Sequence, residues 1–103
     1  MFFVVSMVGV FADEVKTNVE GLVVKGLSCS GFVSAVYSGN AVNRSSKHLV
    51  GQIYAYSYDK DGDPIGQCSG YISLMPKTGD KWNAPYCNCR GSKTVKLIFK
   101  ESK

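Results

Sequence analysis

From Val50 to Leu74 the chain alternates in a way that admits one local geometry. Ile53, Ala55 and Ser57 interleave with Tyr54, Tyr56 and Tyr58, a period of two that suits a pleated strand and no helix. Asp59-Lys60-Asp61-Gly62-Asp63-Pro64 follows. Gly62 tolerates a positive φ, and Pro64, unable to donate to a ladder, marks the start of a return strand. The stretch reads as a β-hairpin with a cysteine, Cys68, on its second arm.

The rest of the chain carries the same grammar. Residues Thr17–Lys25 read as a first strand ending near Gly26, and a second extended region runs from Cys29 to about Val42, with Phe32, Val33, Val36 and Tyr37 as its apolar members. Ser38-Gly39-Asn40 interrupts that region and suggests a bulge or bend. Asn43–Lys47 is a polar turn. Beyond the hairpin, Met75–Asp80 forms a second turn. Lys81–Cys89 is extended again, confined by Pro85 to an edge or a bulge. Asn88–Ser92 is loop-like, and Thr94–Lys100 closes the chain with Val95, Leu97 and Phe99 inward and Lys96 and Lys100 outward. No window after the first residues shows a helical repeat. Six or seven short strands separated by turns predict an all-β fold, a small antiparallel β-sandwich.

At 103 residues the chain makes one domain with a small core. The apolar run Phe2–Phe11, then Ala12 and Asp13-Glu14, is too short to span a bilayer, which takes roughly 20 apolar residues. It fits a signal peptide over residues 1–12, cleaved after Ala12 and followed by a sandwich domain over 13–103. No Lys or Arg precedes the run, so a start further upstream or an N-terminal strand are the other readings. Export predicts a periplasmic or secreted protein with no transmembrane span. The net charge of +4 is mildly basic, compatible with anionic envelope surfaces, and does not point to nucleic acid.

Export makes the four cysteines disulfide partners. They allow three connectivities. If Leu74 opposes Lys81 across the Met75–Asp80 turn, the same register places Cys68 opposite Cys87. A zinc site is disfavoured because Cys87 and Cys89 form the only close pair, at the wrong spacing. A redox pair would need a lowered thiol pKa that nothing nearby supplies.

The order V-x-G, G-N-A-V-N-R-S-S-K, I-Y-A-Y-S-Y-D-K-D-G-D-P-I-G and I-S-L-M-P-K-T-G-D resembles the FxLYD domain, over roughly residues 20–100. Asn43, Tyr58-Asp59, Gly62, and Pro76 with Gly79 occupy that family's positions. Ala55 and Ser57 stand where its signature has Phe and Leu. The resemblance implies an immunoglobulin-like module of exported bacterial envelope proteins. The immunoglobulin topology in turn would bring Cys29 to Cys89.

Other candidate chemistry is thin. Asp59, Asp61 and Asp63 imitate the start of an EF-hand loop, but Pro64 and Gly70 stand where Gly and Glu are required. The carboxylates read better as turn acceptors. His48, the one histidine, lies in a polar turn beside Ser45 and Ser46, so no catalytic set and no cofactor are expected. Asn43-Arg44-Ser45 is formally a glycosylation acceptor.

Tyrosine is the informative surface candidate. Six Tyr and one Trp exceed what a small core holds easily, because their polar ends need partners when buried. Tyr54, Tyr56 and Tyr58 share one face of a strand. If Ile53, Ala55 and Ser57 face the core, the tyrosines form an exposed stripe suited to an interface; if the tyrosines face inward, Ala55 and Ser57 are small solvent-side residues. Trp82 and Tyr86 are further candidate contacts. The expectation is a non-enzymatic module that binds an envelope or outer-membrane protein. Alternatives are a prophage-encoded protein that occludes an outer-membrane receptor (superinfection exclusion), and an inhibitor of a secreted enzyme presenting a loop such as Met75–Asp80 or Asn88–Lys93.

Overall fold

Alternation sets the inner face of nearly every strand in the computed structural model, which describes residues 14–30, 35–89 and 91–102. Phe32, Val33 and the apolar run of residues 1–12 lie outside the described residues. The strands are β1 (Glu14–Lys16), β2 (Leu22–Ser30), β3 (Ala35–Asn43), β4 (Leu49–Tyr58), β5 (Pro64–Leu74), β6 (Thr78–Cys87) and β7 (Thr94–Glu101). They form two sheets, β1-β2-β3-β6 and β5-β4-β7, with every paired neighbour antiparallel. Inward residues such as Leu22, Val24, Tyr37, Trp82, Ile53, Ala55, Ile72, Leu97 and Phe99 make one continuous core between them.

The expected class, an antiparallel sandwich with two staples, is the one found. Cys29 bonds Cys89 and Cys68 bonds Cys87. The strand order is not that of an immunoglobulin domain, in which the second strand pairs with the fifth. Here the second strand lies between the first and third.

Several local expectations change. Residues 17–21 turn rather than extend, because the Thr17 hydroxyl accepts from the Val19 amide at 3.0 Å and donates to the Leu22 carbonyl at 2.9 Å, closing the chain on itself. The bulge foreseen at Gly39 lies instead in β2, between Lys25 and Ser28. Gly39 faces that bulge, paired with Trp82 of β6 but with no partner in β2, and the approach demands glycine: a Cβ there would fall 2.7 Å from Val24 Cγ1. The bulge expected near Pro85 is present: Ala35 opposes Cys87 and Tyr37 opposes Ala84, leaving Pro85 and Tyr86 against Val36 alone.

Met75–Lys77 is not a ladder hairpin. It carries the chain around the corner of the sandwich, from the β5 sheet to the β6 sheet. Cys68 therefore meets Cys87 across a seam between sheets, not across paired strands. Likewise β2 and β6 both pair with β3, so they are not neighbours, and Cys89 reaches Cys29 from beyond the end of β6.

Side chains close both seams. At the β5–β6 seam, Trp82 Nε1 donates to the Gly70 carbonyl at 3.0 Å and Asn88 Nδ2 to the Ile65 carbonyl at 2.8 Å. At the other seam Asn18 acts as a one-residue strand against the edge of β7. Its Oδ1 accepts from the Phe99 amide at 2.6 Å, and its Nδ2 donates to the Phe99 carbonyl at 3.3 Å. Across the interior, the Tyr37 hydroxyl and Ser57 Oγ lie 2.6 Å apart. Such bonds satisfy polar groups whose burial would otherwise cost about 1–3 kcal/mol each.

Candidate surface site on the outer face of the β5-β4-β7 sheet

Gly51, Ile53, Ala55 and Ser57 of β4 are buried, which turns Gln52, Tyr54, Tyr56 and Tyr58 to the outside. The small residues at 55 and 57 occupy the core side, where Ser57 leaves room for the Tyr37 phenol. The tyrosine stripe is thus on the water side, half-buried by its own neighbours. Tyr54 and Tyr56 stack with ring centroids 6.4 Å apart and planes inclined by 20°.

Pairing fixes the rest of this face. On one flank Lys96 lies opposite Tyr56, Ile98 opposite Tyr54 and Lys100 opposite Gln52. On the other, Gln67, Ser69 and Tyr71 lie opposite Tyr56, Tyr54 and Gln52. Tyr71 is 58% exposed. Lys100 Nζ sits 4.9 Å from the centre of the Tyr54 ring, a cation held over an aromatic face. No outward position of the paired strands carries Asp or Glu. Glu101, exposed at the end of β7 beside Lys100 but on the opposite side of the pleat, is the one acid on these strands, and Asp59, Asp61 and Asp63 stand in the β4–β5 turn beyond Tyr58. On the other sheet the one exposed aromatic among the described residues is Tyr86, at the bulged end of β6.

The sequence candidates separate on this geometry. Tyr54, Tyr56 and Tyr58 share the face described above. Trp82 does not join them: it is 1% exposed, packed in the core with its indole N–H on Gly70, because the chain turns the corner at Met75–Lys77 and lays β5 over it. Tyr86 is 81% exposed at the far end of β6, at φ 59°, a left-handed conformation that costs a tyrosine about 1–2 kcal/mol. It is held there by the bulge and by Cys87 beside it. Tyr71 escaped sequence reasoning although its position between buried Gly70 and Ile72 signals an outward side chain. Met75, in the Met75–Asp80 loop expected at the surface, is 57% exposed at the corner.

The remaining candidates have structural roles. Asp59 Oδ1 accepts from the amides of Asp61 and Asp63, both at 2.9 Å, and Gly62 sits at φ 84°, so the acidic triplet is a turn. Its three carboxylates lie within 4.8 Å of one another, with Asp61 and Asp63 exposed and Asp59 half-buried. The Asn43 amide is buried, donating to the Lys47 and Leu74 carbonyls at 2.7 and 3.1 Å, which withdraws it from glycosylation chemistry. His48 meets neither Ser45 nor Ser46. Its Nε2 lies 3.2 Å from Ser73 Oγ in an exposed pair, and among the described residues no carboxylate is hydrogen-bonded to the ring. Glu14 and Arg44 perturb each other: the Arg44 guanidinium, hydrogen-bonded to Glu14 at 2.8 Å, holds the carboxyl below its ordinary value.

What these features define is a disulfide-stapled antiparallel sandwich with one aromatic, basic face. Two structural disulfides belong to an oxidising compartment. No helix among the described residues is long and apolar enough to cross a membrane. No family model, curated protein or solved structure matches the chain.

Proposed function

We propose that this protein is an exported, non-enzymatic binding module of the bacterial cell envelope, docking a partner protein on the tyrosine face of its β5-β4-β7 sheet. The observation that carries the reading is the outward placement of Tyr54, Tyr56, Tyr58 and Tyr71 on one sheet whose core side is complete without them. Tyrosine offers a large rigid contact area at small entropic cost and is enriched among residues that dominate interface energies. The two bridges support export to a periplasm or beyond. The mechanism is occupancy; no bond is made or broken. The test is cross-linking capture from intact envelopes with wild-type protein and with Tyr54, Tyr56 and Tyr58 replaced together by alanine. Loss of the captured band with the circular dichroism spectrum unchanged supports the face, and undiminished capture removes it.

One observation favours inhibition of a secreted enzyme as a second reading. Tyr86 protrudes on a rigid bulge next to Cys87 and near Cys89, a braced projection suited to filling a pocket. Loss of capture by Tyr86→Ala, with the triple tyrosine variant still active, would move the contact to that end of the molecule.

A further inference from the structure

The charges around the tyrosine face narrow the chemistry of what binds there. Lys96 and Lys100 project from the same side of β7, two pleats apart, which is about 13 Å along the strand. Each has a β4 partner on the face, and Lys100 is already positioned over the Tyr54 ring. On the tyrosine side of the pleat the paired strands answer these cations with no carboxylate; Glu101, exposed at the end of β7, belongs to the other side of the pleat. A partner that supplied positive charge here would leave both lysines repelled, whereas one that supplied carboxylates would gain in encounter rate and in register.

Magnitude separates the anionic candidates. Membrane surfaces hold proteins through clusters of about 4–8 basic residues, each contributing about 1 kcal/mol. Nucleic acid binding gains in proportion to the number of phosphates neutralised. Two lysines on a flat face, with no protruding Trp, Phe or Leu to enter a bilayer, fall short of both. They suffice for a short acidic stretch of protein, whose apolar contacts the tyrosines supply.

Resting on the docking face proposed above, we infer that the partner presents a short acidic segment that lies along β7, with its carboxylates on Lys96 and Lys100 and its apolar side chains on Tyr54 and Tyr56. The polar flank of Gln67 and Ser69 faces the rim of that contact.

The test uses the full, disulfide-bonded chain with benzoylphenylalanine introduced at Ser69, a neutral outward position beside Tyr54. It is photolysed on intact envelopes, and the cross-linked peptide is sequenced. A synthetic peptide of that sequence then serves as the probe. It is titrated against wild type, K96E/K100E, and the Tyr54, Tyr56 and Tyr58 triple alanine variant, each checked for fold by circular dichroism. The expected result is a segment rich in Asp and Glu whose binding falls at least tenfold with K96E/K100E. The same peptide with Gln and Asn for its acids should bind weakly and no longer distinguish wild type from the lysine variant. If the tyrosine variant loses binding while K96E/K100E retains it, the acidic partner is overturned and the docking face stands. Cross-links confined to lipid, glycan or nucleic acid overturn the protein partner. Equal capture by all variants removes the docking face itself.

Discussion

Trp82 Nε1 donates to the carbonyl of Gly70 at 3.0 Å, joining the two sheets at the seam where β5 passes over β6. The approach is close because residue 70 has no side chain. A Cβ there would lie 2.7 Å from the indole nitrogen and still closer to the Asn83 carbonyl oxygen. That oxygen belongs to the backbone and has no rotamer through which to yield.

Gly70→Ala is therefore expected to destabilise the fold by about 3 kcal/mol, near the upper range for overpacking. Urea unfolding measures it. A loss below about 1 kcal/mol would show that the seam gives way more easily than its geometry indicates.

The two bridges differ in the length of chain they close. Cys29–Cys89 spans 60 residues and Cys68–Cys87 spans 19. Loop entropy then assigns about 4 kcal/mol to the first and about 3 kcal/mol to the second. Paired alanine variants, Cys29 with Cys89 and Cys68 with Cys87, should unfold in that order in guanidinium, the longer loop being the greater loss. The reverse order would mean that packing at the β5–β6 seam outweighs chain entropy.

Tyr86 holds a conformation that glycine adopts without steric cost. Tyr86→Gly is expected to raise stability by about 0.5–1 kcal/mol, the strain relieved less the greater freedom of glycine in the unfolded chain. Thermal denaturation reads the shift. A destabilised variant would show that the exposed ring contributes packing that its solvent exposure hides.

The Glu14–Arg44 pair ties β1 to the turn after β3. The hydrogen bond from Arg44 lowers the Glu14 pKa from 4.5, aided by the charges of Arg44, Lys25 and Lys16. A carboxyl depressed in the folded state contributes stability above its unfolded pKa and loses it as the pH falls through the folded one. Protection of the β1 amides is thus expected to decline below pH 4.5 toward that lower value. In Arg44→Gln the Glu14 midpoint, followed by NMR, should move back toward 4.5. An unchanged midpoint would assign the shift to the lysines.

Much of the face was legible before any coordinates. The alternation from Ile53 to Tyr58 placed Tyr54, Tyr56 and Tyr58 on one side, and the same rule put Lys96 and Lys100 outward on the last strand. It could not say which side was the core, because Ala55 and Ser57 are small enough for either surface. Tertiary structure settled that through Tyr37, whose phenol needs a buried partner and finds it in Ser57. Tyr71 was overlooked because Gly70 beside it carries no side chain to mark the inner face.

Trp82 and the cysteines teach the complementary point. A ladder register drawn across Met75–Asp80 named Cys68 and Cys87 correctly, yet the two strands belong to different sheets, and that same crossing buries the tryptophan expected outside. Local sequence determined the strands, the turns and which side chains travel together, because pleat and turn conformations depend on neighbouring residues alone. Which sheet each strand joined, and so which surface reached water, was decided only by packing among residues far apart in the chain.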